Sequence, residues 1–189
     1  MELILSILLG FGLSAAVGFR IFVPFFCAGL AAYNHWLDLP QSVAWMGSLP
    51  ALLAFGVATL VEVVGYYVPW LDNLLDTIAT PAATVAGALM MGSFVADIDP
   101  LLKWTLAIIA GGGTAGIISA GTAALRATST VATGGVGNNL VATGELGSAT
   151  AVSFLAIFLP IAAAIVVVVL VGLAVRFVYR KLRRTKLRP

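Results

Sequence analysis

Four ionisable side chains stand inside otherwise apolar stretches of this chain: Arg20, Glu62, Asp76 and Arg126. Asp72 joins them, four residues before Asp76 and therefore on the same helical face. A charge at the centre of a bilayer costs about 2.5 to 3.5 kcal/mol on insertion scales, so such residues normally face a partner or a water-filled cavity. Two arginines and three acids nearly balance, and their convergence on one polar site is the expectation. There the arginines would supply planar, permanently charged donors to an anionic group such as phosphate or carboxylate. The carboxylates could take up protons or a cation. The opposing reading is structural, with buried ion pairs that fix helix packing or long side chains that reach the interface. Asn138, Asn139 and Glu145 are further candidates to line such a site, although Gly-Asn-Asn is equally the chemistry of a turn.

Other reactive residues are sparse. No nucleophile and base pair, HExxH, phosphate-binding glycine loop or Cys/His spacing occurs, so catalysis, a metal and a cofactor have no support in the sequence. The lone Cys27 lies in an apolar stretch and reads as a small packed hydrophobe. His35 sits beside Trp36 at a boundary and reads as interfacial. Asp97 and Asp99, just before Pro100, read as helix caps.

The elements that must position these residues are membrane helices. The chain is 61% hydrophobic and 10% charged, with a mean hydropathy of +1.08, which places it in a bilayer. Seven of its ten basic residues fall in 176–189, directly after an uncharged run from Val152 to Val175. That run reads as one span with a kink at Pro160, stopped by a basic tail, and the positive-inside rule makes the tail cytoplasmic. The basic residues meet lipid headgroups rather than nucleic acid, because they cluster beside a span without interleaved aromatics. Residues 1–175 form a single transmembrane domain. Glu2 stands where a secretory leader carries Lys or Arg, so the first apolar segment reads as retained.

The reading is therefore all-α and polytopic, with about five segments. The first, Leu3 to Asn34, would be roughly 48 Å long as one helix, too long for a straight span. Gly18, Arg20 and Pro24 mark where it breaks or turns back. Leu49 to Val68 ends in the aromatic belt residues Tyr66, Tyr67 and Trp70. Leu74 to Ala96 is the third, and Trp104 to Leu125 the fourth. On the fourth, Gly112, Gly116, Ala120 and Ala124 form a small-residue ridge that calls for a partner helix and points to a homo-oligomer. Between Thr128 and Thr150 the chain reads as an exposed loop or a re-entrant segment. GLSAAVGFR aligns with IISAGTAALR when Arg20 is set on Arg126, which raises the possibility of inverted halves, 1–99 and 100–175. Five spans with a cytoplasmic C-terminus put the N-terminus and Asp72 outside, and Asp97, Asp99 and Lys103 inside; two passes or a re-entrant hairpin in the first segment would instead put the N-terminus on the cytoplasmic side.

Two likenesses rest on particular stretches. GLSAAVGFRIFVPFF, EVVGYYVPWLDNLLD and the Gly- and Asn-bearing segment before the last span resemble a bacterial multi-pass membrane family known only as a domain of unknown function. That likeness covers most of the chain and implies no activity. RIFVPFFCAG, from Arg20 to Gly29, is similar to an arginine, aromatic, proline, small-residue stretch of the DedA superfamily. Its members are implicated in lipid-carrier translocation and have re-entrant hairpins, and the likeness carries over Arg20 and Pro24 only. The expected function is transport of a small anionic solute or a lipid phosphate headgroup, with proton coupling possible. The alternatives are a non-transporting, lipid-organising subunit, or a cation channel lined by carboxylates without arginines.

Overall fold

The computed structural model describes residues 2–96 and 98–185, with the side chains of 2, 69, 70, 73, 174 and 177–185 outside that description, as are Asp97 and residues 186–189. Among the described residues every regular element is helical. Helices α1 (Glu2–Phe19) and α2 (Phe22–Tyr33) are parted at Arg20 and Ile21. Pro24 causes the break, because in a continued helix its ring would strike the Arg20 carbonyl, whereas in the first turn of α2 its missing N–H goes unneeded. The chain also reverses here. Arg20 reaches Ala142 while Gly12 lies against Ala156, so α1 opposes α7 (Asn138–Phe158). Val23 and Cys27 pack on Ala149 and Trp36 meets Phe158, so α2 runs with α7. The first apolar segment is thus a helical hairpin with Arg20 at its tip, and Cys27 is buried in its packing.

Past α2 the chain stops on His35, whose φ of 58° is left-handed. The His35 N–H donates to Ala32 and the Trp36 N–H to Ala31, which closes the helix end. A 3-10 helix, Gln41–Gly47, meets α3 (Leu49–Gly65) at a 67° bend. Helix α3 returns antiparallel along α2, with Phe26 beside Gly56 and the N–H groups of Ile21 and Phe22 on Glu62.

Helix α4 (Pro69–Phe94) passes through Pro81 and lies antiparallel to α1. The Ser14 hydroxyl, fully buried, lies 2.8 Å from both the Gly10 and Gly87 carbonyl oxygens. Next come α5 (Pro100–Leu106), a π-helical turn (Ala107–Gly112) and α6 (Gly113–Thr133), which together make one apolar helix, Pro100–Thr133. Asp99 caps it by accepting from the Leu101 and Leu102 N–H groups at 2.9 and 3.3 Å. The ridge expected to seek a second copy is partly used at home, since Gly112 and Gly116 close on Thr84 of α4 while Ala120 and Ala124 stay exposed.

Two stretches differ from the sequence reading. Thr128 to Thr150 is neither an exposed loop nor a re-entrant coil: α6 ends at Gly134 and Gly135, both at positive φ, and α7 begins at Asn138. Its threonines suit a helix because Thr128, Thr130, Thr133, Thr143 and Thr150 each donate to the carbonyl four residues back. The run Val152–Val175 is divided, because α7 ends at Phe158 and α8 (Pro160–Thr185) turns back along it. Gly12 meets both Ala156 and Ala163, and Val152 shares a cluster with Val167. Pro160 begins a helix rather than kinking one.

The added reversals change the sidedness. Asp72 lies at the end of the bundle where α8 finishes, and Asp99 and Lys103 lie at the end where α1 and α8 begin, the opposite of the five-span count. Helices α1 and α6 run in parallel, with Ser14 level with Gly111 and Gly18 level with Ala115, so the aligned motifs are not related by inversion.

By length and composition three helices can cross a membrane, Leu74–Phe94, Pro100–Thr133 and Asn138–Phe158, with the bent pair as a fourth; Leu3–Phe19, Phe22–Tyr33 and Pro160–Leu173 are shorter apolar helices. Small residues face inward, as with fully buried Ala15, Ala16 and Ala163, and large ones such as Leu53, Leu60, Val61, Ile165 and Val168 face out. This is how helices pack when lipid is the solvent.

At Gly18 a Cβ would stand 2.7 Å from both the Ala115 carbonyl oxygen and Ile118 Cβ. Gly18→Val will therefore lower stability by about 1–3 kcal/mol by forcing α1 off α6. Unfolding in mixed micelles measures this, and a wild-type midpoint would show that the two helices separate freely.

Candidate functional site

Tyr66, just past α3, lies under two arginines. The guanidinium carbons of Arg20 and Arg126 stand 3.7 and 3.8 Å from its ring centroid, close enough for cation–π attraction. Each arginine comes from a break or a crossing: Arg20 from the tip of the α1–α2 hairpin, Arg126 from the middle of α6. Acids arrive from α4 and α7. Asp72 and Asp76 are one turn apart, as their spacing requires, and both face Arg126 Nη1, at 2.6 and 3.4 Å. Glu145 grips the other edge of Arg126, accepting from Nε at 3.0 Å and from Nη2, a two-pronged geometry special to arginine. The same Glu145 Oε2 pairs with Arg20 Nη2 at 3.2 Å.

Burial is nearly complete. Arg20 is 1% exposed, Arg126 3%, Asp72 4% and Glu145 4%, so two cations and two anions balance in the interior. Asp76, its side chain 24% exposed, stands at the margin. Asn138 ties the α7 start to the cluster through its amide, which donates to Asp72 Oδ2 at 3.2 Å and to Thr130 Oγ1 at 2.9 Å. The Tyr67 hydroxyl and Thr143 Oγ1, 2.7 Å apart, pin the α3–α4 turn to α7.

Beside the cluster lies a cavity of about 20 Å³, lined by Arg20, Glu62, Tyr66, Asp76 and Arg126 with Ser119 and Thr122. Arg126 spends its donors on acids. Arg20 does not: Nη2 reaches Glu145 and the Ala142 carbonyl oxygen, while Nε and Nη1 have no hydrogen-bond partner among the described residues. Glu62 accepts from the backbone N–H groups of Ile21 and Phe22 at 2.8 and 3.0 Å.

Of the residues singled out in the sequence, Arg20, Glu62, Asp72, Asp76, Arg126 and Asn138 converge. Asn139 does not; it is exposed, and its carbonyl accepts from the Thr143 hydroxyl. Helical geometry explains this, since adjacent residues at the start of α7 point about 100° apart. Glu145, a secondary candidate in the sequence, is central, and Tyr66 belongs to the cluster rather than to an aromatic belt. Among the described residues no group of three or more His, Cys, Asp and Glu side chains is placed to hold a metal ion.

An all-helical membrane-embedded bundle with a buried arginine and carboxylate cluster is the class of protein that fold and site define. The chain belongs to the family described as Domain of unknown function (DUF4126), whose pattern matches residues 7–180. No curated protein and no solved structure matches it.

Proposed function

We propose that this protein is a transporter of the bacterial inner membrane that moves a small anionic solute or a lipid phosphate headgroup in a proton-coupled cycle through the Arg20 and Arg126 cluster. One observation carries the reading. A guanidinium that is 1% exposed keeps Nε and Nη1 unpartnered beside a cavity, and a buried charge with unused donors is costly unless something binds it. Arginine is suited to oxyanions, and a carboxylate-only cation path fits poorly with two arginines lying among the acids. A cavity of about 20 Å³ holds about one water, so a phosphate-sized group enters only after helices part.

The positive-inside rule puts the end of α8 in the cytoplasm. The cluster then lies in the cytoplasmic half, and Asp99 and the start of α1 face outward. Membrane lipids are the partners of the outer faces, and the Gly112 to Gly116 stretch does not itself require a second copy.

Flux through proteoliposomes tests the reading, with radiolabelled phosphate uptake and flipping of headgroup-labelled phosphatidylglycerol as the two assays. Arg20→Ala is expected to cut the active flux at least tenfold, the worth of a charged hydrogen bond of about 1.5–3 kcal/mol. Glu62→Gln is expected to uncouple flux from a pH gradient. Unchanged behaviour in both variants removes the site. The full pairing of Arg126 favours a structural role for that residue, and a purely structural protein shows no flux in either assay.

A further inference from the structure

The start of α2 is an anion seat filled by a side chain of the same chain. The Ile21 N–H donates to one Glu62 oxygen and the Phe22 N–H to the other, and exposed N–H groups at a helix start favour negative charge. Arg20, one residue earlier, faces the same cavity with three of its five N–H bonds unused, one on Nε and two on Nη1. Among the described residues no ion pair joins Glu62 to Arg20; the pairs of Arg20 and Arg126 go to Glu145, Asp72 and Asp76. The seat therefore has two halves, one plugged by Glu62 and one free.

We infer that a singly charged oxyanion binds between Arg20 and the Ile21 and Phe22 N–H groups by displacing Glu62, and that Glu62 leaves as the neutral acid, so that one proton enters with each anion. Charge balance supplies the reason. Glu62 is faced by Arg20, Tyr66, Asp76 and Arg126, with Asp72 and Glu145 behind Arg126. The 3-10 helix packed on α3, QSVAWMG, brings no ionisable group, and Cys27 of α2 turns toward α7. With every acid ionised, four carboxylates stand against two guanidiniums. A further anion would leave the site three charges negative, whereas a proton on Glu62 restores the starting balance. Phosphodiester groups fit the single charge, whether free or on a lipid.

The inference rests on the transport reading for the oxyanion, the Arg20 site and the accompanying proton, and equilibrium binding tests it separately from flux. Full-length protein in nonionic detergent is titrated calorimetrically with dimethyl phosphate and with dihexanoylphosphatidylglycerol. Both probes stay singly charged between about pH 5.5 and 7.5, so a slope across that window belongs to the protein. Binding of one probe alone tells whether the anion is free or lipid-borne, and binding of both tells that the phosphodiester group itself is what the seat recognises. Wild-type affinity rises up to tenfold per pH unit as pH falls, because one proton is taken up on binding. Glu62→Gln binds at least as tightly as wild type at the lowest pH and loses the slope. Arg20→Gln weakens binding at least tenfold at every pH while keeping a monodisperse elution profile. Binding of neither probe, a flat wild-type profile, or a slope that survives Glu62→Gln overturns the inference. Sloped binding without flux would leave the seat standing and remove transport; flux with flat binding would do the reverse.

Discussion

Glu145→Leu will lower the stability of this protein by about 3–5 kcal/mol, the range for breaking a buried ion pair from one side. The carboxylate is 4% exposed and serves both arginines at once. Without it Arg126 keeps Asp72 and Asp76, but Arg20 keeps no carboxylate among the described residues, holding the Ala142 carbonyl oxygen at 3.2 Å and the Tyr66 ring. Two guanidiniums over one tyrosine ring are then left with less charge between them to offset their repulsion. Unfolding by denaturing detergent in mixed micelles, followed by tryptophan fluorescence, gives the free energy. A loss under about 1 kcal/mol, the size of an exposed pair, would mean that water reaches the cluster and screens it.

Arg126→Leu is expected to cost a similar amount for the opposite reason, because it strands Asp72 and Glu145 in the interior with one shared cation fewer. Arg20 still pairs with Glu145, so Asp72 bears most of the loss, retaining only the Asn138 amide at 3.2 Å. The double variant carrying both leucines removes one charge of each sign. Its cost should fall short of the sum of the two single costs by about 0.5–3 kcal/mol, the coupling expected within one ion network. Strict additivity would show that the two side chains do not act on each other, against their two-pronged contact.

How much of this was legible before folding differs by residue. Arg20, Glu62, Asp76 and Arg126 stood out because a charge within an apolar run has few explanations. Asp72 followed from a four-residue spacing. Glu145 was harder, since it lies in a Gly- and Thr-rich stretch that reads as a loop, where an acid is unremarkable; only once that stretch is helical does it become a buried charge. Tyr66 was misread for a related reason, because an aromatic near a segment end marks an interface unless something charged packs on it. The hairpin at Leu159 was hidden by composition, since hydropathy measures how apolar a run is and not whether it doubles back.

By itself the sequence determined the solvent, the helical class and the break at Pro24, because these depend on local chemistry: transfer energy per residue and a proline ring that cannot share space with a preceding carbonyl. Only the tertiary structure decided that Arg20 and Arg126 meet over Tyr66, that Glu145 and not Asn139 joins them, and that Val152–Val175 turns back on itself. Those outcomes rest on which small residues let which helices touch, with Gly12 against Ala156 and Ala163 and Gly18 against Ala115. Close approach of that kind is a property of pairs of helices, and no single segment carries it.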